Sequence, residues 1–300
     1  MHWDTKHHQK RPETLRRLLD WYALFKVNMV GFEIEDKYEF PSHPVIGAPG
    51  AYTKAEMQEL TRYALERHIQ IVPQVQAPAH LNYVLKHPEF AHLKADGSNY
   101  QACMCDEEAI QLILDLYQDM IDATPGVDYF HVSTDEIYYA GICEKCKKLK
   151  PYNEINRSQT WVDYVNRVHA WMRDHGRRML CWVEYPLLAQ DIHQLPAGLI
   201  DAITVPDREP EWVAKLNKAG IGQLAYTSIQ GAEYLFPNLF PTRYRGGYDR
   251  GRLEDARTTV QRVRQAGARP IGSFCAAWDD SGLHEETFML GWAAMSAWAW

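Results

Sequence analysis

A single (β/α)8 barrel is the fold the sequence predicts, on three observations. Eight short β-rich runs alternate with longer amphipathic stretches, the count that a closed parallel barrel requires. No G-x-G-x-x-G or G-x-x-x-x-G-K-[ST] loop follows an early strand, as a nucleotide-binding open sheet would need. Three connections, residues 36–52, 77–106 and 229–250, are too long for plain turns, and each follows a strand at the end where barrels place their sites.

The strands are expected at residues 2–4, 29–35, 69–76, 129–133, 179–184, 200–205, 223–228 and 271–277. Residues 12–26 form a helix that opens on a proline and sets Leu15, Leu18, Leu19, Tyr22 and Phe25 on one face. Residues 53–67 begin Thr-Lys-Ala-Glu, a capping-box pattern, and turn Met57, Leu60 and Ala64 inward. Residues 107–121 offer Ile110, Leu114, Leu116 and Met120 for burial. Later helices are expected at 159–174, 210–219, 253–266 and 285–300, with a partly helical stretch at 186–195. Trp292, Trp298 and Trp300 close the last helix against the barrel, or else cover a homodimer face or a further domain.

With 300 residues, 46% of them hydrophobic, the chain has material for one large core and is read as one domain. A formal net charge of −7 gives no attraction to the phosphate backbone of nucleic acid. No apolar run approaches the roughly 18 residues of a membrane span. Met1-His2-Trp3-Asp4 has no basic start followed by an apolar stretch, so no signal peptide is expected, with a weak lean to a cytoplasmic location. The same residues read as the end of a strand, as in a catalytic core cut from a longer chain. Six cysteines, at 103, 105, 143, 146, 181 and 275, are too sparse for a disulfide scaffold. Cys143-x2-Cys146 has knuckle spacing and Cys103-x-Cys105 does not, so reduced thiols are the plain expectation, with structural zinc or a disulfide open.

The run Tyr129-Phe130-His131-Val132-Ser133-Thr134-Asp135-Glu136 is an apolar strand ending in two acids. Neighbours on a regular strand face opposite sides, so adjacent acids share a pocket only where the strand ends and turns. Close carboxylates repel, which raises one pKa and keeps a proton available for general acid work. The bland alternative is a solvated Asp-Glu loop start.

His131-x-x-x-Asp135-Glu136 resembles the His-x-Gly-Gly-Asp-Glu signature of glycoside hydrolase family 20, the β-N-acetylhexosaminidases. Asp4-Thr5-Lys6, Lys26-Val27-Asn28 and the segment Ile71 to His80 resemble further family motifs in the same order. Glu33-Ile34-Glu35-Asp36, Val84-Leu85-Lys86-His87, Phe90-Ala91-His92-Leu93 and Asp135 to Gly141 look closest to its hexosaminidase D branch. The resemblance implies an exo-acting, retaining enzyme for terminal GlcNAc or GalNAc, in which the substrate's own acetamide oxygen attacks the anomeric carbon. That is an exception to the two-carboxylate retaining scheme. It further implies that Asp135 orients the acetamide, that Glu136 is the general acid and base, and that no metal or other cofactor takes part.

Supporting roles follow from the same likeness. Asp36 and His80 match a pair that holds the general acid. Trp182 and Trp278, at strand ends, are placed to wall an acetamide pocket, against the alternative of ordinary core tryptophans. Tyr226 is the candidate donor to the acetamide oxygen, with Tyr234 competing, and Glu184, Asp279 and Glu285 are candidates for sugar hydroxyls. Ser133-Thr134 departs from the family's Gly-Gly. Lys6 stands where the family's arginine clamps hydroxyls, and lysine cannot form that planar fork. Two other readings therefore stay open. One is a glycosidase for sulfated or oxidised sugars, with Lys6 and Arg208 or Arg243 reading an anion; the other is a silent glycan-binding barrel.

Overall fold

The computed structural model describes residues 1–6, 9–229, 252–278 and 289–299. Eight parallel strands pair in chain order: β1 (His2–Asp4), β2 (Met29–Glu33), β3 (Gln70–Gln74), β4 (Tyr129–His131), β5 (Arg178–Cys181), β6 (Ile200–Thr204), β7 (Gly222–Ile229) and β8 (Pro270–Ala277). All eight expected runs are strands, and the sheet curls into a nearly closed (β/α)8 barrel. Strands β2 to β6 stop one to three residues before their apolar runs do. There the backbone leaves the sheet to build loops, as at Ser133 and Thr134, which both take positive φ.

The helices form where their apolar faces meet the sheet. In α1 (Pro12–Leu24) the proline sits in the first turn, and Leu15, Leu18, Leu19 and Tyr22 are buried. Each such leucine contributes about 1.5–3 kcal/mol by leaving water. Helix α2 (Lys54–Leu65) carries the expected capping box between Thr53 and Glu56. After α3 (Asn82–Leu85) come α4 (Glu107–Ala123), started by the Asp106 carboxylate accepting from Glu108 N–H, and the short α5 (Glu144–Leu149). Helices α6 (Glu154–Asp174), α7 (Pro210–Ala219), Arg252–Gln265 and Met289–Ala299 complete the ring among the described residues. The stretch 186–195 holds a 3-10 turn, Ala189–Gln194, pinned by the Ser158 hydroxyl donating to Asp191 at 2.6 Å. Trp292 is buried with its ring edge-on to Tyr22 at 5.2 Å, so it closes the last helix on the barrel. Nothing is described of the Trp298 and Trp300 side chains.

Inside the barrel the register sets a polar row. Asp4 pairs with Glu33, Glu33 with Gln74, and Gln74 with His131 across β1 to β4. Paired residues of a sheet face the same way, so all four point inward at one level. Glu33 ties the row together, accepting from Gln74 at 2.5 Å and meeting His2 at 3.3 Å. One level down, Gly31 leaves room for the Phe274 ring, which an added Cβ would meet at 3.3 Å. Between β8 and β1 the joint is made by side chains: Ala277 N–H donates to His2 Nδ1 at 3.3 Å, and the His2 ring lies 4.9 Å from that of Trp278. A cavity of about 320 Å³ occupies the foot of the barrel, lined by Met29, Val72, His131, Leu180 and Phe274 among others. It lies at the end opposite the acid pair.

Candidate active site

The polar row leads directly to the loop carrying the two acids. Ser133 and Thr134 follow β4 at φ 63° and 69°, the left-handed region that glycine enters freely and a β-branched residue does not. Hydrogen bonds hold the turn there. Ser133 N–H donates to His131 Nδ1 at 3.0 Å, Trp182 N–H to Ser133 O at 2.7 Å, and the Thr134 hydroxyl to Trp182 O at 2.8 Å. The Ser133 hydroxyl donates to the Gln76 side chain. The chain thus keeps a glycine-like turn with two residues that have side chains. His131 serves this turn from below: burial, and then the neighbouring His2, pushes its imidazole down to about 3, so it stays a neutral acceptor.

The turn brings Asp135 and Glu136 to one place. His80, itself at φ 55°, puts its Nε2 3.5 Å from an Asp135 carboxylate oxygen and 3.3 Å from one of Glu136. Asp135 is largely enclosed, whereas the Glu136 side chain is 46% exposed. Burial first, and then the Glu184 carboxylate, hold the Asp135 carboxyl well above the usual range; it hydrogen-bonds Glu184. Glu184 is raised by the same desolvation, and it accepts from Glu136 N–H at 3.2 Å. This carboxyl, expected on sugar hydroxyls, therefore touches both acids from β5's side.

Two tyrosines that sequence reasoning missed complete the grip. The Tyr100 hydroxyl donates to Glu136 O at 3.0 Å and contacts His80 Nε2 at 3.2 Å. Tyr138 stacks on Tyr100, ring centroids 5.9 Å apart, and hydrogen-bonds the Glu136 carboxylate. Tyr138 follows the acids directly and was available as a signal; Tyr100 sits in a long loop without periodicity.

The apolar wall takes shape across the barrel mouth. Trp278 Nε1 donates to the Tyr226 hydroxyl at 3.0 Å, which leaves the phenol its own proton to give. Trp182 stands edge-on to Tyr226 at 5.7 Å but is only 1% exposed, so it backs the wall, against which the partly buried Trp278 and Tyr226 pack. The Lys6 ammonium lies 4.6 Å from the Trp278 ring centroid and 2.7 Å from Glu33. Burial works against its charge, yet Glu33 and Asp4 hold it above the usual ammonium range. Beside it, burial and then Glu33 push the Glu35 carboxyl up to about 8.

Some expected contacts are not made. The Asp36 carboxylate pairs with Lys37, and with Lys86 at 3.2 Å, and does not reach His80. Lys86, fifty residues on, neutralises it from α3's end. Arg208 is no free anion reader: its guanidinium pairs with buried Asp201 and donates to Val183 O and Ile203 O. Reduced thiols are not found throughout, because the β3 and β4 loops converge and Cys105 and Cys146 form a disulfide. Tyr234, Arg243, Asp279 and Glu285 lie outside the described residues.

Known proteins resemble this chain in sequence and in fold. Human Hexosaminidase D is 29% identical over 211 residues, 69% of this chain and 42% of that protein. Bovine Hexosaminidase D is 24% identical over 176 residues, 58% of this chain and 51% of that protein. The chain thus spans about half the length of the curated relatives it matches. The β-N-acetylhexosaminidase from Bacteroides fragilis NCTC 9343 superposes with a TM-score of 0.72 at 17% identity, over 98% of this chain and 64% of that one, a likeness of fold. The sequence model for the glycosyl hydrolase family 20 catalytic domain matches residues 1–203. By that match over most of its length, the chain belongs to glycosyl hydrolase family 20.

Proposed function

We propose that the protein is an exo-acting, retaining β-N-acetylhexosaminidase that removes terminal β-linked GlcNAc or GalNAc with the help of the substrate's acetamide group. The observation that carries this reading is the placement of Asp135 and Glu136 on one left-handed turn, both within 3.5 Å of His80 and opposite the Tyr226–Trp278 wall. The family and its hexosaminidase relatives support the reaction class.

In this scheme the sugar stacks on Trp278, whose face suits the apolar side of a pyranose or an acetamide methyl. The Tyr226 hydroxyl donates to the acetamide oxygen and aims it at the anomeric carbon. Asp135 accepts from the acetamide N–H and stabilises the positive charge that builds as the oxazolinium ring closes. Its raised pKa fits a proton shared with Glu184, which passes to Glu184 as that charge develops. Glu136, the more exposed acid, protonates the departing oxygen, then takes a proton from the water that opens the ring. Because the nucleophile travels on the substrate, much of the entropic cost of attack is already met. The steps need no cofactor.

Hydrolysis of aryl β-GlcNAc and β-GalNAc, with and without a thiazoline mimic of the intermediate, tests the proposal. Turnover blocked by low concentrations of the mimic is the expected result. Absence of turnover in folded protein would overturn it and favour a modified sugar or a binding role, with Lys6 as the first residue to examine.

A further inference from the structure

Four cysteines meet between the two loops that carry the site. Cys103 and Cys105 come from the β3 loop, and Cys143 and Cys146 lie at the start of α5. The Sγ atoms of Cys103, Cys143 and Cys146 all lie within 4.8 Å of one another, and Cys103 Sγ is 3.8 Å from Cys146 Sγ. Four thiolates around zinc at ~2.3 Å give sulfur–sulfur edges of about 3.8 Å. Cys105 reaches the same point, since its sulfur is bonded to that of Cys146. Cys146 N–H is directed at Cys143 Sγ at 3.3 Å, a contact that favours a thiolate. A disulfide accounts for Cys105 and Cys146, but not for two further sulfurs turned onto it.

We propose that in the reduced chain Cys103, Cys105, Cys143 and Cys146 bind one zinc ion as a tetrathiolate centre that clasps the β3 loop to the β4 loop. Binding exchanges four S–H bonds for four Zn–S bonds and releases four protons, with no change of oxidation state. The Cys105–Cys146 disulfide is the metal-free alternative; its formation needs a disulfide oxidant, which takes up both hydrogens and leaves as two thiols. The clasp lies close to the acids. Two residues before Cys103, the Gln101 side chain accepts from Tyr139 N–H at 3.0 Å, and Tyr100 holds the Glu136 carbonyl. A metal at this position would therefore hold the general acid's loop while standing outside the reaction.

The test is metal analysis of the whole chain, prepared under a phosphine reductant and without chelator. About one zinc per chain is expected. Release by a mercurial thiol reagent should be complete, and cobalt substitution should give thiolate charge-transfer and tetrahedral d–d absorption. Cys103→Ser and Cys143→Ser, which leave the other two cysteines intact, should lower zinc to background. Folded wild-type protein without metal overturns the proposal, and so does zinc retained in both variants. A chain isolated from the same reductant in which Cys105 and Cys146 still resist alkylation after unfolding with chelator, and so are disulfide-bonded, also overturns it. None of these readings needs turnover, so their failure is separate from failure of the glycosidase assignment, and the wild-type measurement stands even if a variant does not fold.

Discussion

The Glu136 carboxyl reaches solvent while that of Asp135 faces Glu184 and His80, so the two acids are placed to divide the work. Glu136→Gln should slow substrates with poor leaving groups by roughly 10²–10⁴-fold and spare good ones, because acid assistance matters least where the departing oxygen is stable. Equal losses for both, measured as kcat/KM on a series of aryl glycosides, would remove Glu136 from that role. Asp135→Asn should lower the rate for every leaving group by a similar factor, since it weakens stabilisation of the ring-closed cation itself; an unchanged rate would end the assignment. Glu184 tunes its neighbour. Its negative charge disfavours a second charge on Asp135, so Glu184→Gln should ease ionisation of Asp135 and move the acid limb of the pH–kcat/KM profile to lower pH. A limb that stays in place would show that Asp135 does not set it.

At the scale of the element, the loop after β4 stores strain that a glycine pair would not. Thr134 at φ 69° is a β-branched residue in the left-handed region, at a cost of order 1–3 kcal/mol. Its hydroxyl offsets part of that through the bond to Trp182 O. Thr134→Gly relieves the strain and loses the bond, so its denaturation midpoint should lie within about 1 kcal/mol of the parent. Thr134→Val keeps the strain and loses the bond, and should destabilise by about 1–3 kcal/mol. If valine were tolerated as well as glycine, the hydroxyl would not be what holds the turn. Sequence showed both acids and the departure from Gly-Gly, since these are local. It did not show that Asp36 would prefer Lys86 to His80, because that choice is set by how two long loops fold over each other. Strand positions were legible for a related reason: apolar runs mark where chain is buried. They overran the strand ends because residues such as Val132 and Val183 stay buried after leaving the sheet.

For the molecule as a whole, the row of buried charge under the site couples stability to pH. Glu35 titrates near 8 in the fold, against about 4.5 for an ordinary glutamate, through burial and then Glu33. A folded carboxyl with a raised pKa holds its proton longer than the unfolded chain does. Its contribution is complete below the unfolded value and is lost as pH rises toward the folded one. Glu35→Gln should therefore match the parent's pH trend below about 4.5 and gain relative stability between there and about 8, levelling off above. Melting temperatures across that window check it; parallel curves would mean that Glu35 ionises freely in the fold. The single barrel was readable because eight strand signals recur along one chain, whereas the cysteines of the two loops left reduced thiols, zinc and a disulfide all open, because spacing alone gives no contact between distant segments.

The joint between the first and last strands has one more effect. Lys6 follows β1 and Trp278 follows β8, and they meet face to ring above the place where His2 bridges the two ends of the sheet. A pyranose resting on Trp278 within reach of Lys6 would lie across that joint like a keystone. Sugar affinity and barrel closure would then be linked, each tightening the other by the same free energy. A product-like sugar should raise the melting temperature of this barrel, and loosening the joint at His2 should weaken sugar binding without touching either acid.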